Sequence, residues 1–174
     1  KDRLPYRVSL GYQYQMGTLN TSDYNRGTLD FNLSPNFLDK HLTLDLSARG
    51  VYVHSDYAEG GVVGKAAFYN PTRDPYFRNE DGSIDFTTNN GYWGPGAGRG
   101  KGFTPNKLVG EGPLSLLHDK WSYANTARFV GKAAIDYKVH GFEALRFNVA
   151  LSMDVSESKS ANGVNPGSFQ AYSD

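Results

Sequence analysis

Residues 41–55 read HLTLDLSARGVYVHS, and their alternation constrains the fold more than any other feature of the chain. Leu42, Leu44, Leu46, Ala48, Gly50 and Tyr52 fall on one side of a pleated strand, and Thr43, Asp45, Ser47 and Arg49 on the other, because successive side chains of a strand point to opposite faces. Asn25–Ser34 repeats the pattern, with Leu29, Phe31 and Leu33 set against Thr28, Asp30 and Asn32, and the short segment PNFLDK joins the two strands. This is a hairpin with one apolar and one charged surface. With 20 glycines and 12 tyrosines the composition suits strands and turns, and helix-period apolar stretches are hard to find.

The same logic extends along the chain. Leu4, Tyr6, Val8, Leu10, Tyr12, Tyr14 and Met16 line one face of a first strand, so residues 1–55 are expected to hold three strands in a meander, with GTLNTSD as the first connection. Residues 56–123 form a long loop: 68 residues with 12 of the glycines and 5 of the prolines, but also 11 aromatics, which argues for a packed loop and against disorder. Within it NEDGSIDF reads as a tight turn with a short strand, and PLSLLHDK as a turn of helix. Two further strands are expected in residues 124–156, where Ala127, Phe129, Gly131, Ala133, Ile135 and Tyr137, and then Leu145 to Val155, alternate with polar residues around a turn at HGFEA. Residues 157–174 read as the start of another polar loop.

Not one Asp, Glu, Lys or Arg occupies the apolar faces of these five strands. A soluble β-sandwich, such as an adhesin-type glycan-binding module, also hides one face and is the alternative. The strands are longer than the ~5–6 residues usual in such folds and match the ~9–11 that a tilted strand needs to cross a bilayer. Short connections at one end and a very long one at the other fit an outer-membrane β-barrel with an extracellular loop, with Tyr12, Tyr14 and Tyr52 at one lipid boundary and Tyr6 and Tyr137 at the other. Equal numbers of cations and anions give no electrostatic case for nucleic acid. The chain has no cysteine, so disulfide frameworks and thiolate metal sites are excluded, and no apolar run reaches the ~18 residues of a helical span. Five strands cannot close a barrel whose smallest examples have ~8, and the chain opens on KDRLPYR. A stretch of a longer polypeptide is therefore expected.

Several pieces, in this order and spacing, carry a family resemblance: Leu4-Pro5-Tyr6-Arg7, Ser34-Pro35 with Phe37 and Leu42, Asn70-Pro71-Thr72 with Pro75, and Arg128-Phe129 with Gly131 and Asp136-Tyr137. Over nearly its whole length the chain resembles the SusC/RagA family of TonB-dependent outer-membrane transporters. That resemblance implies a plugged barrel of about 22 strands in the bacterial outer membrane. It also implies import of oligosaccharides or peptides, a SusD-like surface lipoprotein as lid, and energy delivered by TonB through parts outside this stretch. The plug domain, TonB box and signal sequence of the family are expected to lie outside this stretch.

Candidate binding residues lie in the loop. Tyr69, Tyr76, Tyr92, Trp93, Phe103 and Trp121 could offer flat faces to a substrate or a lid protein; the plainer expectation is that they pack the loop against itself. The charges Arg7, Arg26, Asp45, Arg49, Arg128, Lys132, Asp136 and Arg146 are expected to face the lumen and, with opposite signs interleaved, to pair across strands. NEDGSID alternates oxygen ligands, but Ile84 stands where a calcium loop wants glycine and the distal Glu is missing, so a hairpin turn is expected. GYWGPGAGRGKG lacks the Lys-Ser/Thr ending of a phosphate loop. His41, His54, His118 and His140 show no ligand spacing. No cofactor, metal site or catalytic residue is expected, and an outer-membrane barrel hydrolase has no motif in its favour.

Overall fold

The computed structural model describes residues 4–106, 108–142 and 144–171. Parts of the expected turn at HGFEA (Glu143) and of the expected terminal loop (Tyr172–Asp174) lie outside the described residues. The elements run β1 Tyr6–Met16, β2 Asp23–Leu33, β3 Asn36–Phe37, β4 Leu42–Asp56, α1 Val62–Ala67, β5 Gly96–Ala97, β6 Thr104–Pro105, α2 Pro113–Asp119, β7 Lys120–Lys138 and β8 Arg146–Val164. The chain divides into a sheet unit (up to Gln15, Tyr24–Ser55 and Ala124–Lys159) and a loop unit (Met16–Asp23, Asp56–Tyr123 and from Ser160 on).

The strand order β1-β2-β4-β7-β8 is a meander, as the alternation implies, and the chain is all-β in class. The short connection after β2 is tighter than a plain six-residue turn: β3 pairs back on β4, Asn36 with Thr43 and Phe37 with Leu42. Leu38, Asp39 and Lys40 turn the chain with three successive positive φ angles of 53, 53 and 71°. The His41 amide donates to the Leu38 carbonyl at 3.0 Å and closes the turn.

Inside the sheet unit no Leu, Ile, Val, Met or aromatic side chain is buried among the described residues. Leu10 is 83% exposed and Leu151 72%, and the whole series Tyr6, Val8, Leu29, Phe31, Ile135, Phe147 and Val149 is open. The opposite face is ionic. Arg49 pairs with Asp30, Lys132 with Asp45 (3.9 Å) and Arg146 with Asp136 (3.0 Å). Arg128 grips Asp154 with two nitrogens, Nε at 2.9 Å.

Two strands run further than the alternation of apolar residues suggests. β7 begins at Lys120, inside the expected loop, and β8 continues to Val164 through Ser156–Gly163, residues read from sequence as polar loop. A ladder of backbone hydrogen bonds needs no apolar face, so the strands outlast the hydrophobic pattern.

The loop unit has a core of its own. Val62 on α1 packs with Leu116 and Leu117 on α2, flanked by Leu19 and Ala58. Pro113 opens α2 at its first turn, where its missing N–H costs nothing. Phe103 and Phe169 are buried as well; Phe169 lies in the expected polar tail and packs on Gly94, where a Cβ would come within 2.9 Å of its ring. The glycine string makes a small hairpin, β5 against β6. Gly98 sits there at φ +80°, where a Cβ would meet the Gly102 carbonyl at 2.4 Å, so no other residue fits.

Candidate functional site

The loop aromatics form separate groups. Trp93 takes the edge of Tyr69 at 5.8 Å and carries the Arg73 guanidinium over its ring at 4.4 Å. The turn that delivers them is made by its own side chains. The Asn70 carboxamide accepts from the Thr72 amide (3.0 Å) and hydroxyl (2.8 Å), and Asp74 accepts from the Tyr76 amide (3.0 Å) and Arg78 (2.5 Å). These bonds, led by Arg78, hold the Asp74 carboxyl below its usual range. Burial raises the Tyr69 hydroxyl, which donates to the Asp74 carbonyl.

Tyr76 and Tyr92 pair through their backbones, with rings 5.9 Å apart. Tyr92 stacks on His118 at 5.4 Å, and burial raises its hydroxyl pKa. Phe103 is 3% exposed, edge-on to Phe77 and pressed on Gly96. It has no face left for a ligand, and its candidacy is corrected to that of a core residue. Trp121 belongs to β7 and not to a loop. It is 43% exposed, stacks on Tyr123 at 5.9 Å, and lies over Gly163, where a Cβ would meet the indole at 2.4 Å. Trp121 and Tyr123 have the strand parity of Ala127 and Phe129.

A hollow of about 620 Å³ lies around Tyr69 and Trp93 in the loop unit, with Phe68, Lys65, Arg73 and Glu111 in its lining. Phe68 at its edge is 94% exposed. An apolar bowl with a guanidinium, an ammonium and a carboxylate has the chemistry of a holding site, able to take a ring or an apolar side chain with polar ends. Sequence reasoning missed Phe68, Lys65, Arg73 and Glu111. The segment AAFYNPTRDPYF contains two of them, and its Asx-forming residues were the available signal.

Asp85 fixes the floor of the loop unit. The Thr87 hydroxyl (2.5 Å), the Thr88 hydroxyl (2.7 Å) and the Thr87 amide (3.1 Å) donate to it, with Arg99 at 3.4 Å. The Thr87 and Thr88 bonds chiefly lower its pKa to about 2. NEDGSID is the expected hairpin turn: the Asn79 amide donates to the Ser83 carbonyl, Gly82 has φ +84°, and Asp81 caps Ser83. Asp119 is buried and pushed above the usual carboxyl range by desolvation, against which the Asn90 (2.8 Å) and Ser115 (2.9 Å) bonds act.

On the sheet unit, Arg49, Lys132, Arg128 and Arg146 pair with Asp30, Asp45, Asp154 and Asp136, whereas among the described residues Arg7 reaches Ser9 at 3.3 Å and Arg26 forms no ion pair. Toward its long-loop end the apolar-parity face carries polar contacts: Tyr12 donates to Asn25 (3.0 Å), and Asn125 receives Tyr52 (3.1 Å) and the His54 ring (2.6 Å). His41 and His140, 99 positions apart in sequence, bring their rings to 3.9 Å at the short-turn end.

The sheet unit is an all-β antiparallel meander with its large apolar side chains on one face and its paired charges on the other. The chain is 36% identical, over 95% of its length, to the TonB-dependent receptor SusC of Bacteroides thetaiotaomicron, and it spans 17% of that receptor. No family model and no solved structure matches the chain.

Proposed function

We propose that this stretch forms five wall strands and one external loop of a TonB-dependent outer-membrane importer. One observation carries the reading: among the described residues no Leu, Ile, Val, Met or aromatic side chain of the sheet unit is buried, and many, from Tyr6 and Leu10 to Phe147 and Leu151, are exposed. In water such a surface is an aggregation hazard; against hydrocarbon it is satisfied. From Leu42 to Tyr52 the apolar face of β4 is about 11 residues long, which at ~3.3 Å per residue and ~40° tilt covers about 25 Å, the height of the apolar band of such barrels. The polar contacts at Tyr12, Asn25, Tyr52 and Asn125 supply its upper limit. Similarity to SusC supports the same reading.

In this proposal the protein moves nutrient, an oligosaccharide or a peptide, without catalysing a reaction. Its loop unit meets either that substrate or a SusD-like lipoprotein lid through the hollow at Tyr69, Trp93 and Arg73. The soluble sandwich loses ground because it needs the leucine faces buried. Spin labels placed singly from Leu44 to Arg49 in the intact protein test the wall: even positions are accessible to oxygen in the lipid, odd positions to a water-soluble relaxer. Protection of the even positions from both reagents contradicts the proposal.

A further inference from the structure

The ionic face of the sheet unit is not evenly matched. Asp30, Asp45, Asp136 and Asp154 are each taken by one cation, whereas Arg26 on β2 forms no ion pair among the described residues. Its Nε is shielded from solvent and has no hydrogen-bond acceptor. A guanidinium nitrogen in that state costs free energy that water or a partner ordinarily removes. Beside it is a hollow of about 340 Å³ that Arg26 lines together with Arg49, Arg128, Asp30, Val51 and Val130. Of these three arginines, Arg49 is held by Asp30 and Arg128 by Asp154, which leaves Arg26 as the cation of the hollow without an ion pair among the described residues. The valines exclude water from part of the wall, which strengthens the field of the cations inside it.

We propose that Arg26, supported by Arg49 and Arg128, receives a carboxylate from outside these residues. The planar fork of a guanidinium matches the two oxygens of a carboxylate, and an extra anion balances the excess of arginine in the hollow. Two sources share that chemistry: an acidic side chain elsewhere in the longer polypeptide, or an acidic group on a solute passing the charged face. The proposal rests on the barrel-wall reading only for the statement that the face lines an interior.

The test uses the intact protein with Arg26→Gln and, as a variant that keeps the charge and protects the fold, Arg26→Lys. If the carboxylate belongs to the polypeptide, hydrogen exchange in Arg26→Gln rises about tenfold or more at one Asp- or Glu-bearing segment outside residues 1–174, the loss of one charge-assisted bond, and Arg26→Lys shows a smaller rise. If it comes from a solute, triglutamate binds the intact protein about tenfold more weakly in Arg26→Gln, while triglutamine binding is unchanged. Either result supports the proposal. Unchanged exchange together with unchanged triglutamate binding in Arg26→Gln overturns it. The spin-label pattern reads the wall assignment independently, so failure of one leaves the other standing.

Discussion

The sheet unit and the loop unit answer the same problem in opposite ways. Along the strands, large apolar side chains such as Leu10 and Leu151 stand open while the charges satisfy one another on the other face. In the loop unit, Val62, Leu116, Leu117, Phe103 and Phe169 turn inward, and buried polar groups such as Thr88 and Asp119 are hydrogen-bonded. The loop unit follows the rules of a small protein in water. The strands leave large apolar side chains exposed on one side, the pattern that the proposed importer wall requires. Glycine and proline density therefore marks, in this chain, the part with a conventional core.

The contrast makes its largest prediction at Phe103. Phe103→Ala empties a fully enclosed site and should destabilise the loop unit by about 3–5 kcal/mol, read as faster hydrogen exchange confined to residues 56–123 of the intact protein. Leu151→Ala on the open face removes a similar volume but leaves no cavity that lipid cannot fill, and exchange should barely change. Equal effects at the two sites would erase the distinction between the units. Next in size, Leu46→Arg should cost about 2–4 kcal/mol in a bilayer, while Ser47→Arg, one residue along, costs close to nothing; unfolding from vesicles in urea separates them.

How far the sequence carries this picture depends on the period of the signal. Alternation over ten or more residues located β1, β2, β4 and the lower halves of β7 and β8 to within a few residues, because a slip of one position would expose every charge on the wrong face. Beyond Val155 the alternation fades, and the strand continues on backbone bonds with side-chain contacts such as Thr126 to Ser158 (3.0 Å) and Trp121 over Gly163. That is why Trp121 and Gly163 read as loop residues. In the candidate site the aromatic residues were legible and their partners were not. Arg73 over Trp93 and His118 under Tyr92 depend on chain reversals set by Asn70, Asp74 and Asn90, for which composition offers no register. Phe103 was misread because an aromatic among glycines looks exposed on paper, yet the glycines are what let the chain close over it.

Acid should separate two carboxylates within the loop unit. Asp85 has its pKa lowered by folding, so its contribution is present above the ordinary value of 3.8 and is lost as the pH falls through about 2. Asp119 has its pKa raised by burial, so its contribution is favourable when protonated and is lost as the pH rises. Trp93 fluorescence followed from pH 4 to pH 2 should report loosening of the loop unit in the parent protein. Asp85→Asn should shift that loosening toward neutral pH, and Asp119→Asn should leave it in place. Loosening at the same pH in all three would remove Asp85 as the anchor.

The smallest effect belongs to the short turn of the sheet unit, and it tests whether the wall is tuned for stability or only tolerates its turns. Leu38 at φ 53° adopts a backbone conformation that costs a residue with a Cβ roughly 1 kcal/mol, and its side chain is exposed, so little packing offsets the cost. Asp39 is of a residue type that tolerates the same region better. Leu38→Gly relieves the strain but frees the unfolded chain, and the two terms partly cancel. The expected net change is a gain of up to about 0.5 kcal/mol in urea unfolding of the intact protein. A loss larger than about 1 kcal/mol would mean that the Leu38 side chain is held by something outside these residues, and the short-turn end would then join the loop unit as a packed surface.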